Sequence, residues 1–294
     1  MSRLSVWSVT ALSLGALLGW AGPARAYVCT PVTDGNGVPV SPAVSQVWVN
    51  RCIPYFINRD ADLFSGGDRQ LLVEQSFQVW AGNACTDLEF ADLGYTDQQP
   101  GFDPRASDNE NVITSVKDAA SVATYFPEAN MVAITITAFS TSSGEIFDAD
   151  IVVNDLGFDF EDVVSQPSCA AENPAPFDLR AILIHEMGHF IGFDHEADVE
   201  STMYFSAPAC EVKKRTLTDD DIIGVCTVYP KGQAPKTCAP PSVDYDDVSG
   251  VQAFRDQCEA KLDGGSCSCT GYGADAPYGL ALAMLALLGL RKRR

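Results

Sequence analysis

The sequence predicts a mixed fold, α/β or α+β, on two observations. Short apolar runs rich in β-branched residues and longer amphipathic stretches occur in the order strand, helix, several strands, two helices. The chain has 294 residues, 46% hydrophobic and 20% charged, which is enough apolar material for one or two packed domains and excludes a disordered chain.

Residues 52–58 (CIPYFIN) read as the first strand. Asp68 is placed to cap a helix running to about residue 81, with Leu71, Leu72, Phe77, Val79 and Trp80 as its apolar positions. Residues 111–116 and 131–139 read as strands, the second with alternating Ile134 and Ile136. Residues 141–144 form a turn, and residues 145–154 another strand. Asp178 begins a helix that continues through Phe190. Thr218 caps a last helix to about residue 229, with Asp219, Asp220 and Asp221 in the first turn, where the helix dipole favours acids.

Neither end belongs to this pattern. Residues 1–26 carry Arg3, an apolar stretch from Leu4 to Trp20 and Ala24-Arg25-Ala26, the layout of a secretory signal peptide cleaved after Ala26. A folded domain of residues 27–231 follows, then a Pro-rich linker and a small Cys-containing extension over 232–265. Residues 266–294 hold Cys267-Ser268-Cys269, an apolar stretch from Tyr278 to Leu290 and a basic end, Arg291 to Arg294. That apolar stretch is short for a bilayer span, which needs roughly 17–25 residues. The arrangement resembles the MYXO-CTERM tail of myxobacterial surface proteins. The resemblance implies processing near Cys267 or Cys269 and attachment to the cell surface, or release. Membrane contact is then confined to the tail before processing.

The formal net charge is −20, and removing both ends leaves 13 cations and 38 acids, a net −25 for residues 27–269. Such a surface excludes nucleic acid as a partner, because phosphates need a basic face. Eight of the ten cysteines lie between residues 29 and 258, an even number that suits disulfides in an oxidising compartment. Chain proximity favours Cys210–Cys226 and Cys238–Cys258 among the many possible pairings.

The chain has three histidines, and all lie within eleven residues. His185-Glu186-Met187-Gly188-His189 sits inside the helix that Asp178 opens, so the i, i+4 spacing puts both imidazoles on one face, one turn apart. Gly192 allows a sharp exit from the helix, and the turn returns His195 toward the same point. Scattered core or surface histidines would not fall in this register. Three neutral nitrogen ligands hold one zinc ion and leave a fourth position for water, the open geometry of a catalytic site. Glu186, beside the metal, is the general base for that water.

The motif H-E-x-x-H-x-x-G-x-x-H resembles that of the metzincin zinc metallopeptidases, whose second mark is a methionine turn beneath the metal. Ser201-Thr202-Met203-Tyr204 fits that turn, and its Met203, eight residues after His195, resembles the matrixin branch. Residues 53–58, 77–80, 144–154 and 217–229 resemble further matrixin segments. The resemblance implies an α+β fold with a twisted, mostly parallel sheet, an active-site helix and a C-terminal helix. It implies a monomeric, secreted or surface-attached endopeptidase acting on protein or peptide substrates. It gives Met203 a supporting role and makes residues 144–154 the strand bordering the cleft, with substrate added along residues 147–153.

Family calcium sites use aspartates near that strand, which makes Asp148, Asp150 and Asp155 candidates for Ca²⁺. The departures from the family are also informative. Phe205 stands where matrixins usually have proline and where other metzincins carry a metal-binding tyrosine. The family's structural zinc needs histidines this chain lacks, so it is expected to be missing. Cys29 could block the zinc as a thiol, but the even cysteine count favours a disulfide. Two other functions fit a metzincin scaffold: a non-enzymatic adhesin, which would have no need of Glu186, and a zinc hydrolase acting on something other than protein.

Overall fold

The first strand, β1 (Cys52–Asn58), is buried along its whole length. Parallel neighbours on both sides, β2 (Glu89–Thr96) and β3 (Val112–Val116), account for this. A parallel strand covered on both faces must be apolar throughout rather than at alternate positions. The computed structural model describes residues 27–34, 38–39, 44–106, 108–128, 130–163 and 169–232, together with the backbone of 283–288. The segments read as signal peptide, linker and Cys-containing extension, and most of the tail, lie outside these residues.

β4 (Met131–Phe139) and β5 (Ile146–Asn154) complete the main sheet, whose order is β2-β1-β3-β5-β4. β3 and β5 run parallel, and β4 runs antiparallel to β5 with Thr135 opposite Ile151. The outer edge of β4 is paired antiparallel by a last strand, Ala283–Leu288. The sheet is therefore mostly parallel, as expected for the α+β reading. A two-stranded ribbon joins β6 (Phe160–Glu161) to β7 (Phe177–Asp178).

One expectation is corrected here. β5 lies between β3 and β4, with both edges occupied, so it cannot receive a substrate strand. Among the strands of residues 27–232, β4 is the outermost on this side and packs against the helix Leu179–Phe190.

α1 (Gly67–Ala81) and α3 (Leu179–Phe190) cover one face of the sheet. Their shared core is aromatic: the Phe77 ring stacks on Tyr55 at 4.0 Å and meets Phe190 edge-on at 5.7 Å. Trp80 Nε1 donates to the Ile184 carbonyl at 2.8 Å, tying the two helices together one residue before His185. The last carbonyls of α3, which have no partner within the helix, are taken by distant groups. Trp48 Nε1 donates to Phe190 O at 2.7 Å and Tyr229 Oη to Ile191 O at 2.6 Å. α2 (Ala119–Tyr125), which Asp118 caps, lies beside the apolar cluster of Val116, Phe126, Met131, Ile134 and Val152. α4 (Asp219–Val228) closes the domain, with Thr218 as its cap in a reciprocal box with Asp221.

Further differences from the sequence expectation are local. Asp68 does not cap α1: Gly66, at φ 92°, holds that place without a side-chain bond, and Asp68 falls in the first turn. The disulfides described are Cys85–Cys226 and Cys169–Cys210, which replaces the Cys210–Cys226 pairing. Cys29 is also in a disulfide, so it is no free thiol aimed at a metal. Among the described residues, no helix is long and apolar enough to cross a membrane.

Candidate metal centre

The Asp178 carboxylate accepts from Ala181 N at 2.7 Å and so starts α3, the helix that carries His185, Glu186 and His189. Packed between sheet and α1, the helix is buried from Ala181 to Phe190. The chain then leaves it at Gly192, where φ is +89° and an added Cβ would stand 2.3 Å from the Gln46 carbonyl oxygen. Only glycine fits that close, left-handed turn. Gly192 N donates to His189 O and Phe193 N to Gly188 O, and His195 follows three residues on.

The three imidazoles converge. His189 Nε2 lies 3.2 Å from His185 Nε2 and 3.1 Å from His195 Nε2. Three nitrogens bound tetrahedrally to one zinc, each at about 2.0–2.1 Å, lie roughly 3.3 Å apart. The Nδ1 atoms of the two helical histidines face carbonyls, Thr202 O at 2.7 Å for His185 and Phe193 O at 2.8 Å for His189. A carbonyl only accepts, so Nδ1 carries the proton and the Nε2 lone pair is left for a metal. Burial holds all three below the usual histidine range, His185 and His189 far below it. They are therefore neutral, the form a metal ligand requires. Among the described residues, this trio is the one cluster of three or more histidine, cysteine or carboxylate side chains with metal-binding geometry.

Met203 is buried, its sulfur lying against Gly188 of the helix that carries His185 and His189. Its loop is fixed by groups from two later elements. Asp221 accepts from Thr202 N at 3.3 Å and from Ser201 Oγ at 3.4 Å, as well as capping α4. Lys214, fully buried, donates from Nζ to the carbonyls of Ser201, Thr202 and Tyr204 at 3.4, 3.3 and 2.6 Å. The Thr202 carbonyl thus joins Lys214 to His185. Burial pulls the Lys214 ammonium down to about 8. Sequence reading missed Lys214, because Lys213-Lys214-Arg215 looks like a solvated basic run.

Glu186, which follows His185 on the helix, is fully buried. The Thr135 hydroxyl of β4 lies 2.6 Å from its Oε2 and 3.1 Å from its main-chain carbonyl, while Oε1 has no hydrogen-bond partner. Burial pushes the carboxyl up to about 8, and the Thr135 bond pulls against that shift. A cation held by the histidines acts in the same sense as Thr135. Phe205 is 41% exposed beside His195, with ring centroids 6.4 Å apart, and its ring offers no donor atom to a metal.

The calcium candidates are not brought together in the same way. Asp148 and Asp150 are buried on β5 with their carboxyl groups hydrogen-bonded to each other, and Asp150 also accepts from Gly101 N at 2.7 Å and Val112 N at 2.8 Å. Asp155 follows the end of the strand, and the three form no cluster of the kind the histidines make.

Comparison with known proteins agrees with this geometry. The Matrixin family profile matches residues 47–230, well over half of the chain. Among curated proteins, Metalloendoproteinase 1 of Glycine max is 36% identical over 93 residues, which is 31% of this chain and 27% of that protein. The chain thus spans about a quarter of the length of the relative it matches.

Proposed function

The chain belongs to the matrixin family, and on that premise we propose that it is a secreted or surface-attached zinc-dependent endopeptidase. The observation that carries the reading is the convergence of three Nε2 atoms at 3.1–3.2 Å on a helix that also carries a buried carboxylate, Glu186, next to His185 in the chain. His185, His189 and His195 are the ligands that would hold zinc, and Met203 supports them. Bound there, zinc supplies Lewis acidity toward a water molecule and a peptide carbonyl. Glu186 takes a proton from the water and passes it to the leaving amine. Its burial is what keeps that proton in reach rather than lost to bulk solvent.

The sheet edge beside α3 is the one a substrate strand would use. β5 is internal, whereas the outer edge of β4 takes an antiparallel strand, as residues 283–288 do. A peptide paired on that edge takes the place of those residues and lies along α3. An exported location is supported by the pattern of residues 1–26 and by the disulfides Cys85–Cys226 and Cys169–Cys210.

The test is metal removal and return. The purified protein is expected to contain one zinc per chain, to cleave casein or gelatin, to stop in 1,10-phenanthroline and to recover with zinc. Cleavage unaffected by the chelator, or a protein that binds no zinc, overturns the reading.

A further inference from the structure

We propose that Thr135 of β4 is a positioning residue for the general base, holding Oε2 of Glu186 so that Oε1 is the atom that takes and returns the proton. The inference rests on the endopeptidase reading above.

Thr135 is 1% exposed, and its backbone is fixed opposite Ile151 in the β4–β5 pairing. Its side chain is β-branched and has few rotamers to choose from. The hydroxyl is therefore delivered by the sheet, not by a mobile chain. It has one hydrogen and two acceptors within reach: Glu186 Oε2 at 2.6 Å and the Glu186 carbonyl at 3.1 Å. The shorter contact falls in the range of a hydroxyl donating to a carboxylate, the stronger of the two bonds. A tie between sheet and helix alone would need only the carbonyl.

The other oxygen, Oε1, is buried and has no partner. A buried acceptor left unmade costs free energy, so a native structure that keeps one has a use for it. With Oε2 engaged by Thr135, Oε1 is the oxygen of this carboxylate that no protein group holds, and the hydrogen bond favours one orientation of the group. Among the described residues no other side chain hydrogen-bonds this carboxylate, which makes Thr135 the group that decides its orientation.

Two variants separate this role from simple packing. Thr135→Val keeps the shape and removes the hydroxyl; Thr135→Ser keeps the hydroxyl. The expected result for Thr135→Val is a fall in kcat of about tenfold to a hundredfold, with KM and zinc content unchanged. Thr135→Ser restores most of it. A second readout uses metal-free protein: the infrared carboxyl band lost in Glu186→Gln, that of the protonated group at neutral pH, shifts in Thr135→Val and not in Thr135→Ser. A Thr135→Val protein with wild-type kcat and an unshifted band overturns the proposal. So does an equal loss in both variants, which assigns Thr135 to packing. If the wild type cleaves no peptide, the endopeptidase reading fails instead, and the infrared comparison alone decides whether Thr135 holds Glu186.

Discussion

Met203 Sδ occupies the space that a side chain on residue 188 would need: a Cβ added at Gly188 would stand 2.1 Å from it. The glycine inside the H-E-x-x-H segment is thus a packing requirement of the methionine turn, linking two stretches of chain fifteen residues apart. The same Cβ would lie 3.0 Å from the Trp80 ring, so the added methyl is crowded on a second side.

Gly188→Ala is accordingly expected to destabilise the domain by about 1–3 kcal/mol through overpacking. In Gly188→Ala/Met203→Ala the new methyl meets a cavity, so the double variant is expected to be more stable than the two single losses add up to. Urea unfolding of the four proteins measures the coupling. Strict additivity means the two residues do not share this space.

Lys214 is expected to matter to the metal although it does not touch it. Lys214→Met removes the donor from three carbonyls of the methionine turn, one of which also orients His185. Loss of a group that orients a ligand typically costs about 10- to 100-fold in metal affinity. Zinc competition with a chromogenic chelator reads this directly, and an unchanged zinc affinity would show that the turn holds itself.

The disulfide Cys169–Cys210 closes a loop of sequence separation 41. Chain entropy gives such a cross-link about 4 kcal/mol. Replacing both cysteines by serine is therefore expected to lower the unfolding midpoint in urea strongly. A variant as stable as the wild type would place the loop's order in other contacts, such as the hydrogen bond from Cys210 N to Pro176 O.

Asp150 predicts a pH dependence of stability. Burial raises its carboxyl to about 7 from an ordinary value near 4. Between these values the unfolded chain has released the proton and the folded one has kept it. Stability is therefore full at low pH, falls as pH rises through that window, and levels off above about 7. Asp150→Asn should flatten this part of the curve. It should also cost stability at every pH, because an amide nitrogen cannot accept from Gly101 N or Val112 N. Melting temperatures from pH 4 to 8 test this, and a slope unchanged in the variant assigns the dependence to other groups.

The histidine spacing, Gly192, Met203 and the Thr218 cap were legible because each is written in local sequence: a period, a φ requirement, a capping pair. β2 was not, since Asp92 and the positive-φ Gly94 interrupt its apolar pattern and its pairing with β1 decides it. α2 was missed because it is seven residues long and buries none of them, leaving no apolar stripe to read. The order of β4 and β5 in the sheet is non-local, and so the edge beside the cleft was assigned to the wrong strand. Thr135 and Lys214 belong to the same class. Each looks ordinary in sequence and acquires its role from a partner tens of residues or one loop away.

The central claim, that Glu186 is the base of a zinc peptidase centred on His185, His189 and His195, is most directly tested by casein cleavage with Glu186→Gln at equal zinc content. The expected result is one zinc per chain in both proteins and a rate in the variant lower by about 10²- to 10⁴-fold. A zinc-loaded Glu186→Gln protein that cleaves at the wild-type rate contradicts the account.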